Sequence, residues 1–206
     1  MKDVTVAILV GGNSKRFGSE KALAIFHDQP LISHMLDIAR RITNNILVVA
    51  SDDAQLEKIK PYVKLGRTVM DPDDSIKCAL SGAITAFEHA GTDYTLLLPI
   101  DAPLARSNLL KVLVEMSPTH GAVVPSWPSG YIEPLHSVYL TEHAYYHALK
   151  VTEMGFYKMS DMLDQIHNVL YVSTETLKQF DANLETFKNF NTVSELKAAE
   201  IKRRRK

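Results

Sequence analysis

The chain has 206 residues, 46% of them hydrophobic, enough to bury a full core within one domain. Net charge is −1, so the overall balance carries no footprint for nucleic acid. The single cysteine, Cys78, excludes an intrachain disulfide and fits a reducing cytoplasm, and the N-terminal apolar run is too short for a signal sequence or a membrane span.

That run, Val4 to Val10, is apolar and rich in β-branched residues, the pattern of a strand buried on both faces. It leads into Gly11-Gly12-Asn13-Ser14-Lys15-Arg16-Phe17-Gly18-Ser19-Glu20-Lys21, three glycines among three cations. Glycines let backbone N–H groups approach a ligand closely, and Lys15, Arg16 and Lys21 can neutralise negative charge. The combination suits a polyphosphate at the carboxyl end of a strand. A surface turn with solvated charges is the competing reading.

Ala22–Phe26 reads as a short extended piece. Pro30 opens a helix whose apolar positions recur at helical spacing through Thr43. Ile46–Ala50 is a second buried strand, and Asp53 to about Lys60 a short polar helix ended by Pro61. Thr68–Met70 is a third strand, running into Asp71-Pro72-Asp73-Asp74. Ser75 to His89 is helical by pattern, with Gly91 as its C-cap. Tyr94–Leu98 is the fourth strand and enters Pro99-Ile100-Asp101-Ala102-Pro103; helix Ser107–Met116 and strand Ala122–Pro125 follow.

Strands alternating with helices of ten to fifteen residues predict an α/β fold: a Rossmann-like, doubly wound, mostly parallel sheet with helices on both faces. Such sheets bind ligands beyond the carboxyl ends of their strands, so the loops at Gly11, Asp71 and Asp101 should open onto one crevice. The second half is less regular and is expected to cover that crevice. It contains a loop around Trp127, a strand over Leu135–Leu140 antiparallel to its neighbour, helices Glu142–Val151 and Lys158–Ile166, and a late strand Val169–Val172. A helix from Val193 should be capped by Asn191 or Thr192, with Glu195 at capping-box spacing from Thr192. Residues 1–201 form one domain on this reading, and the basic run 202–206 is a solvated tail.

Two common phosphate motifs are missing. There is no Gly-x-x-x-x-Gly-Lys-Ser/Thr, and no Gly-x-Gly-x-x-Gly after the first strand. Asp101 ends a buried strand between two prolines that would hold its carboxylate in a fixed loop. Mg²⁺ takes one or two carboxylates together with waters and substrate phosphates, and Asp101 suits that role, with a helix cap or surface turn as the alternative. Asp71, at another strand end, suits a ribose or base contact or support of the metal. His143 and His147 stand four apart on a helix without the Glu of a His-Glu-x-x-His motif, which favours a structural or solvent role. His136 is expected to face the crevice.

The motif Leu9-x-Gly-Gly-x-Ser-x-Arg-x-Gly-x-x-Lys21 resembles the signature of nucleotidyltransferases with a nucleotide-diphospho-sugar transferase fold. Within that group the chain looks most like the molybdenum cofactor guanylyltransferases. Cys78–Gly82 stands for that family's Gly-Pro-Leu-Ala-Gly, Pro99–Pro103 for its Pro-Cys-Asp-x-Pro, Glu133-Pro134 for an acceptor-side motif, and Asn189–Leu196 for its Asn-x-Asn-Thr-Pro-Glu-Glu-Leu ending. The resemblance spans residues 4 to about 197. It implies Mg²⁺-dependent transfer of GMP from GTP to the phosphate of molybdopterin, bare or metal-loaded, with release of pyrophosphate. Leu9, Val10, Gly11 and Gly12 would then contact the nucleotide, Leu9 to Gly11 through backbone on guanine. Arg16 and Lys21 would bind the triphosphate, Asp71 the nucleoside, and Asp101 Mg²⁺. The partners it implies are GTP, molybdopterin or the molybdenum cofactor, and cofactor-biosynthesis or recipient proteins, with no nucleic acid or membrane. Cys78-Ala79 departs from Gly-Pro, and Ala50 stands where family members can carry a base-contacting Asn, which passes that contact to Ser51 or to backbone. Transfer to a sugar 1-phosphate or another phosphate acceptor, and a non-catalytic nucleotide-binding adaptor, stay open on the residues alone.

Overall fold

The structure is a computed structural model describing residues 3–11, 20–72 and 76–204. Its centre is β1 (Val4–Leu9), six buried residues in a row. A strand with no exposed residue needs cover on both faces and pairing on both edges. It gets β4 (Ile46–Ala50) on one side and β6 (Tyr94–Pro99) on the other, both parallel. Between β1 and β4 lie a 3-10 turn at Lys21–Leu23, a small ribbon of β2 (Ile25–Phe26) and β3 (Gln29–Pro30), and α1 (Leu31–Arg40). Ala22–Phe26 is thus not one extended piece. Glu20 accepts the Ala22 N–H, and Leu23 N and Ala24 N donate to Glu20 O and Lys21 O, which winds Lys21–Leu23 into a turn. α1 stops at Arg40, short of Thr43.

After β4 come α2 (Asp53–Ile59), β5 (Arg67–Met70) and α3 (Ala79–Ala90). The helical pattern from Ser75 overruns the start of α3. The Cys78 side chain accepts the backbone N–H of Ser81, and Ser81 Oγ accepts the Cys78 N–H, a reciprocal cap that fixes the first turn at Ala79. Gly91 closes the helix at φ +70°, a conformation that costs glycine nothing. α4 (Ser107–Met116) follows β6 and leads to β7 (Ala122–Ser126).

Leu135–Leu140 is not one strand. Pro134, with no N–H and a fixed φ, starts a 3-10 turn through His136, and only β8 (Val138–Leu140) is extended. β8 lies antiparallel to both β6 and β7, and β9 (Val169–Ser173) is parallel to β7. α5 (Thr141–Glu153) and α6 (Met159–Leu163) precede β9, and α7 (Thr174–Leu177) and α8 (Val193–Arg204) follow it. α8 carries its backbone helix into the basic run, so that run is not wholly a frayed tail.

The sheet has seven strands in the order β5-β4-β1-β6-β8-β7-β9. Apolar faces of α1 and α4 pack on one side with Leu196 of α8, and those of α3, α5 and α6 pack on the other. The fold is the mostly parallel, two-faced sheet that the strand–helix alternation predicts. The carboxyl ends of β1, β4, β5 and β6 therefore share one edge, and the Trp127 loop after β7 rises to the same edge.

Candidate functional site

Ladder-like hydrogen bonds continue past the strand ends and hold the loops in place. Val10 N donates to Val49 O, Asp71 N to Ala50 O, and Ile100 N to Leu9 O, at 2.9, 2.9 and 3.1 Å. The backbone after β1, β5 and β6 is therefore positioned by the sheet before any side chain contributes. The crevice above these ends encloses about 520 Å³ and is lined by Leu9, Val10, Gly11, Lys21, Asp71 and Asp101, among others. The three loops expected to share a crevice do share it. Gly12 and Arg16 lie outside the described residues.

Lys21 Nζ donates to Asp101 Oδ2 at 2.5 Å. Both side chains are mostly buried, with 16% and 15% of their surface exposed. Eighty residues of chain separate them, so the pairing is made by the fold. Asp101 Oδ1 is buried with no hydrogen-bond partner among the described residues. An ionised carboxylate oxygen shut away from water and donors is costly, and such an oxygen is a ready ligand for a hard cation. The residues present thus fit a Mg²⁺ at Asp101.

Asp71 is 3% exposed and its Oδ1 also has no partner among the described residues. Burial pushes its carboxyl above the usual range, against the opposing effects of a hydrogen bond from Thr85 and the charge of Lys77. A nucleoside hydroxyl or base N–H entering the crevice would supply the missing donor. Opposite Asp71, Gly11 approaches Ser51 so closely that a Cβ on the glycine would lie 3.3 Å from Ser51 Cβ. A side chain there would require Ser51 to give by a few tenths of an ångström. A Cβ at Gly82 would meet Leu9 and Asp71 only at ordinary contact distances, so Gly82 is compatible with the crevice wall without being demanded by it.

Asn189 and Asn191 also line the crevice, a role that the likeness of their motif to the family's does not by itself assign. The signal was their spacing. In an extended segment residues two apart share a face, and the intervening Phe190 is buried against Phe26 at 5.9 Å between ring centroids. Phe190 N also donates to Asp101 O at 2.9 Å, tying this strap to the acidic loop. Cys78, Ala79 and Ser51 line the crevice too, which puts the departures from the family pattern in its wall.

His136 does not face the crevice. It is fully buried, its ring edge-on to Phe187 and its Nδ1 3.7 Å from Glu133 Oε2. Leu135, one residue earlier, reaches the crevice instead. Glu133 accepts the Trp127 Nε1–H at 2.8 Å and so braces the Trp127 loop. His143 and His147 meet edge to face at the other end of the sheet, with His167 beside them. Among the described residues no three His, Cys, Asp or Glu side chains are arranged to hold a metal ion.

Comparison with known proteins places this geometry. A family model described as a MobA-like NTP transferase domain matches residues 6–169. A protein of Thermococcus gammatolerans named "probable molybdenum cofactor guanylyltransferase" is 31% identical over 196 residues, 92% of this chain and 95% of its own. One of the same name from Methanosarcina mazei is 27% identical over 194 residues, covering 92% and 86%. The crystal structure of molybdopterin-guanine dinucleotide biosynthesis protein A from Archaeoglobus fulgidus superposes with a TM-score of 0.83 at 27% identity, over 98% of this chain and 100% of that one. The 4-diphosphocytidyl-2C-methyl-D-erythritol synthase of Anaerococcus prevotii, at 13% identity and a TM-score of 0.72, shares the fold. With a family model matching well over half its length, the chain belongs to the MobA-like NTP transferase domain family.

Proposed function

We propose that this protein transfers GMP from GTP to the phosphate of molybdopterin, bare or metal-loaded, and releases pyrophosphate. The observation that carries the reading is the Lys21–Asp101 pair in the strand-end crevice, with the second oxygen of Asp101 buried and lacking a partner among the described residues. The names of the relatives, which span most of this chain, support guanine and a molybdopterin acceptor. A single cysteine, and the lack among the described residues of any helix long and apolar enough to cross a membrane, support a cytoplasmic setting.

In the reaction an oxygen of the acceptor phosphate forms a bond to the α-phosphorus of GTP. The bond from that phosphorus to the bridging oxygen of the β-phosphate breaks, and pyrophosphate carries away the electron pair. No covalent intermediate with the protein is required, so the work is positioning and charge neutralisation. The Lys21 ammonium would neutralise the triphosphate, and Asp71 would offer an acceptor to the nucleoside. Asp101 would hold Mg²⁺, which when bound supplies further positive charge against the phosphates. Asn189 and Asn191, which line the same crevice, would offer amides to the substrates.

The test is pyrophosphate release with GTP, ATP or CTP, with and without molybdopterin, and with Mg²⁺ or a chelator. Release is expected only with GTP, molybdopterin and Mg²⁺ together. Lys21→Ala and Asp101→Ala should each lower turnover by about a hundredfold or more, as for the loss of a preorganised charge-stabilising group. Near-normal rates in both variants would sink the assignment. Release with a sugar 1-phosphate in place of molybdopterin would redirect it to that acceptor.

A further inference from the structure

α2 is a polar helix with one anomaly. Its residues are exposed or partly exposed except Ile59, which joins the core, and Gln55, which is 5% exposed. A buried glutamine must satisfy its amide, and Gln55 does so in two directions. Its Oε1 accepts the Ser51 backbone N–H at 2.9 Å and lies 3.3 Å from Ser51 Oγ. Its Nε2 donates to Glu20 Oε1 at 2.9 Å. Asp52 fixes the start of the same turn by accepting the Gln55 N–H at 2.8 Å. Glu20 is the N-cap of the turn that begins at Lys21, and Ser51 lines the crevice opposite Gly11. One buried side chain therefore joins the nucleoside end of the crevice to the cation at its phosphate end.

The bridge also sets what Ser51 offers a base. Among the described residues the two acceptors within reach of its hydroxyl hydrogen, Gln55 Oε1 and Asp52 Oδ2 at 3.1 Å, belong to α2 and its N-cap. With the hydrogen directed there, Ser51 Oγ presents lone pairs to the crevice. Guanine carries donors at N1–H and the N2 amino group, whereas adenine has an acceptor at N1 and only C–H at position 2.

We infer that Gln55 is a positioning residue: it holds Ser51 as a hydrogen-bond acceptor that favours guanine over adenine, and it anchors the Lys21 turn through Glu20. The inference rests on the nucleotide-site reading above and extends it to a residue that does not line the crevice. Gln55→Glu keeps the acceptor for Ser51 but sets a carboxylate against Glu20. Adding Glu20→Gln restores a donor between the two positions at the net charge of the natural protein.

Titration calorimetry with GTP and with ATP, in Mg²⁺, tests this on the full chain. Gln55→Glu should weaken GTP binding about tenfold and narrow the preference for GTP over ATP, an effect the size of one lost coupling. The double variant should return to within about threefold of the natural protein, the rescue that marks a coupled pair. Unchanged GTP affinity in Gln55→Glu, or a double variant whose losses simply add, overturns the inference while leaving the function standing. A natural protein that binds no nucleoside triphosphate overturns both. If Gln55→Glu does not fold, Ser51→Ala carries the test: its preference for GTP should narrow, and an unchanged preference overturns the inference.

Discussion

Asp71 shows at the scale of one residue how the site is set against stability. Its carboxyl is buried, and burial raises its pKa above the usual carboxylate range. A group whose folded pKa exceeds its unfolded one contributes stability below the unfolded value and loses it as pH rises through the folded value. Ionising Asp71 therefore weighs against folding, and a neutral side chain of the same shape should not. Asp71→Asn is expected to melt at or above the natural protein's temperature at pH 7.5 while binding GTP about tenfold more weakly, as is common when a strained functional group is removed. Calorimetry of unfolding and of binding on the same samples checks both halves, and a variant that binds GTP normally removes Asp71 from the nucleoside site. That Asp71 and Asp101 line the crevice was legible in the sequence because each stands just past the carboxyl end of a strand of one sheet. Gln55 was not. In a helix of polar residues a glutamine reads as solvated surface, and only the seating of α2 over the end of β4 buries it. Asn189 and Asn191 lay between these cases, visible as a motif but without a direction until Phe190 was seen to anchor the strap.

At the scale of elements, the cap of α8 holds that strap. Thr192 Oγ1 accepts the Glu195 N–H at 3.2 Å, at the spacing the sequence predicts. The return bond differs from the usual box, since Glu195 Oε2 accepts the N–H of Asn191 at 2.6 Å where Thr192 would be expected. The cap therefore fixes a crevice-lining residue as well as a helix. Thr192→Ala should cost about 1 kcal/mol and lower the melting temperature by about 2–4 °C in a chain of this size. Glu195→Ala should do much the same, and the double variant little more than either, because the two side chains serve one unit. Melting curves of the three variants decide this; fully additive losses would mean that the two bonds act independently. Most elements were readable because long buried strands and amphipathic helices announce their period. The errors fell where local chemistry overrides period. The cap at Cys78 cuts the helical pattern of 76–78 away from α3, and Pro134 turns what alternation suggests is strand. The turn of α7, only Thr174–Leu177, is too short to leave a pattern and exists because Ser173 caps it and Leu177 is buried.

At the scale of the molecule, the sheet separates two kinds of ionisable chemistry. Charges, and carboxylate oxygens without a partner among the described residues, gather at the carboxyl ends of β1, β5 and β6. At the opposite edge, where β8 ends and β7 and β9 begin, three histidines pack together. The His143 and His147 rings lie 4.6 Å apart, and His167 stands about equally far from both, at 6.3 and 6.2 Å. His147 is buried, and its Nδ1 has no partner among the described residues. Burial lowers its pKa below 6.5, and His143, His167 and Lys150 lower it further by repulsion. A depressed folded pKa means that the unfolded chain takes up the proton first as pH falls. The stabilisation is therefore complete above about pH 6.5 and is lost as the pH drops from there through the folded value. Urea unfolding at pH 7.5 and 5.5 should show the natural protein weaker at the lower pH. His147→Gln, which fills similar space without titrating, should lose less over the same interval. Equal losses in the two proteins would assign the acid sensitivity to other groups. Because α5 packs on α3, which forms a wall of the crevice, the acid-weakened edge and the nucleotide edge share one layer of helices. Saturating GTP should therefore stabilise the protein at both pH values, and what distinguishes the natural protein from His147→Gln is the slope between them.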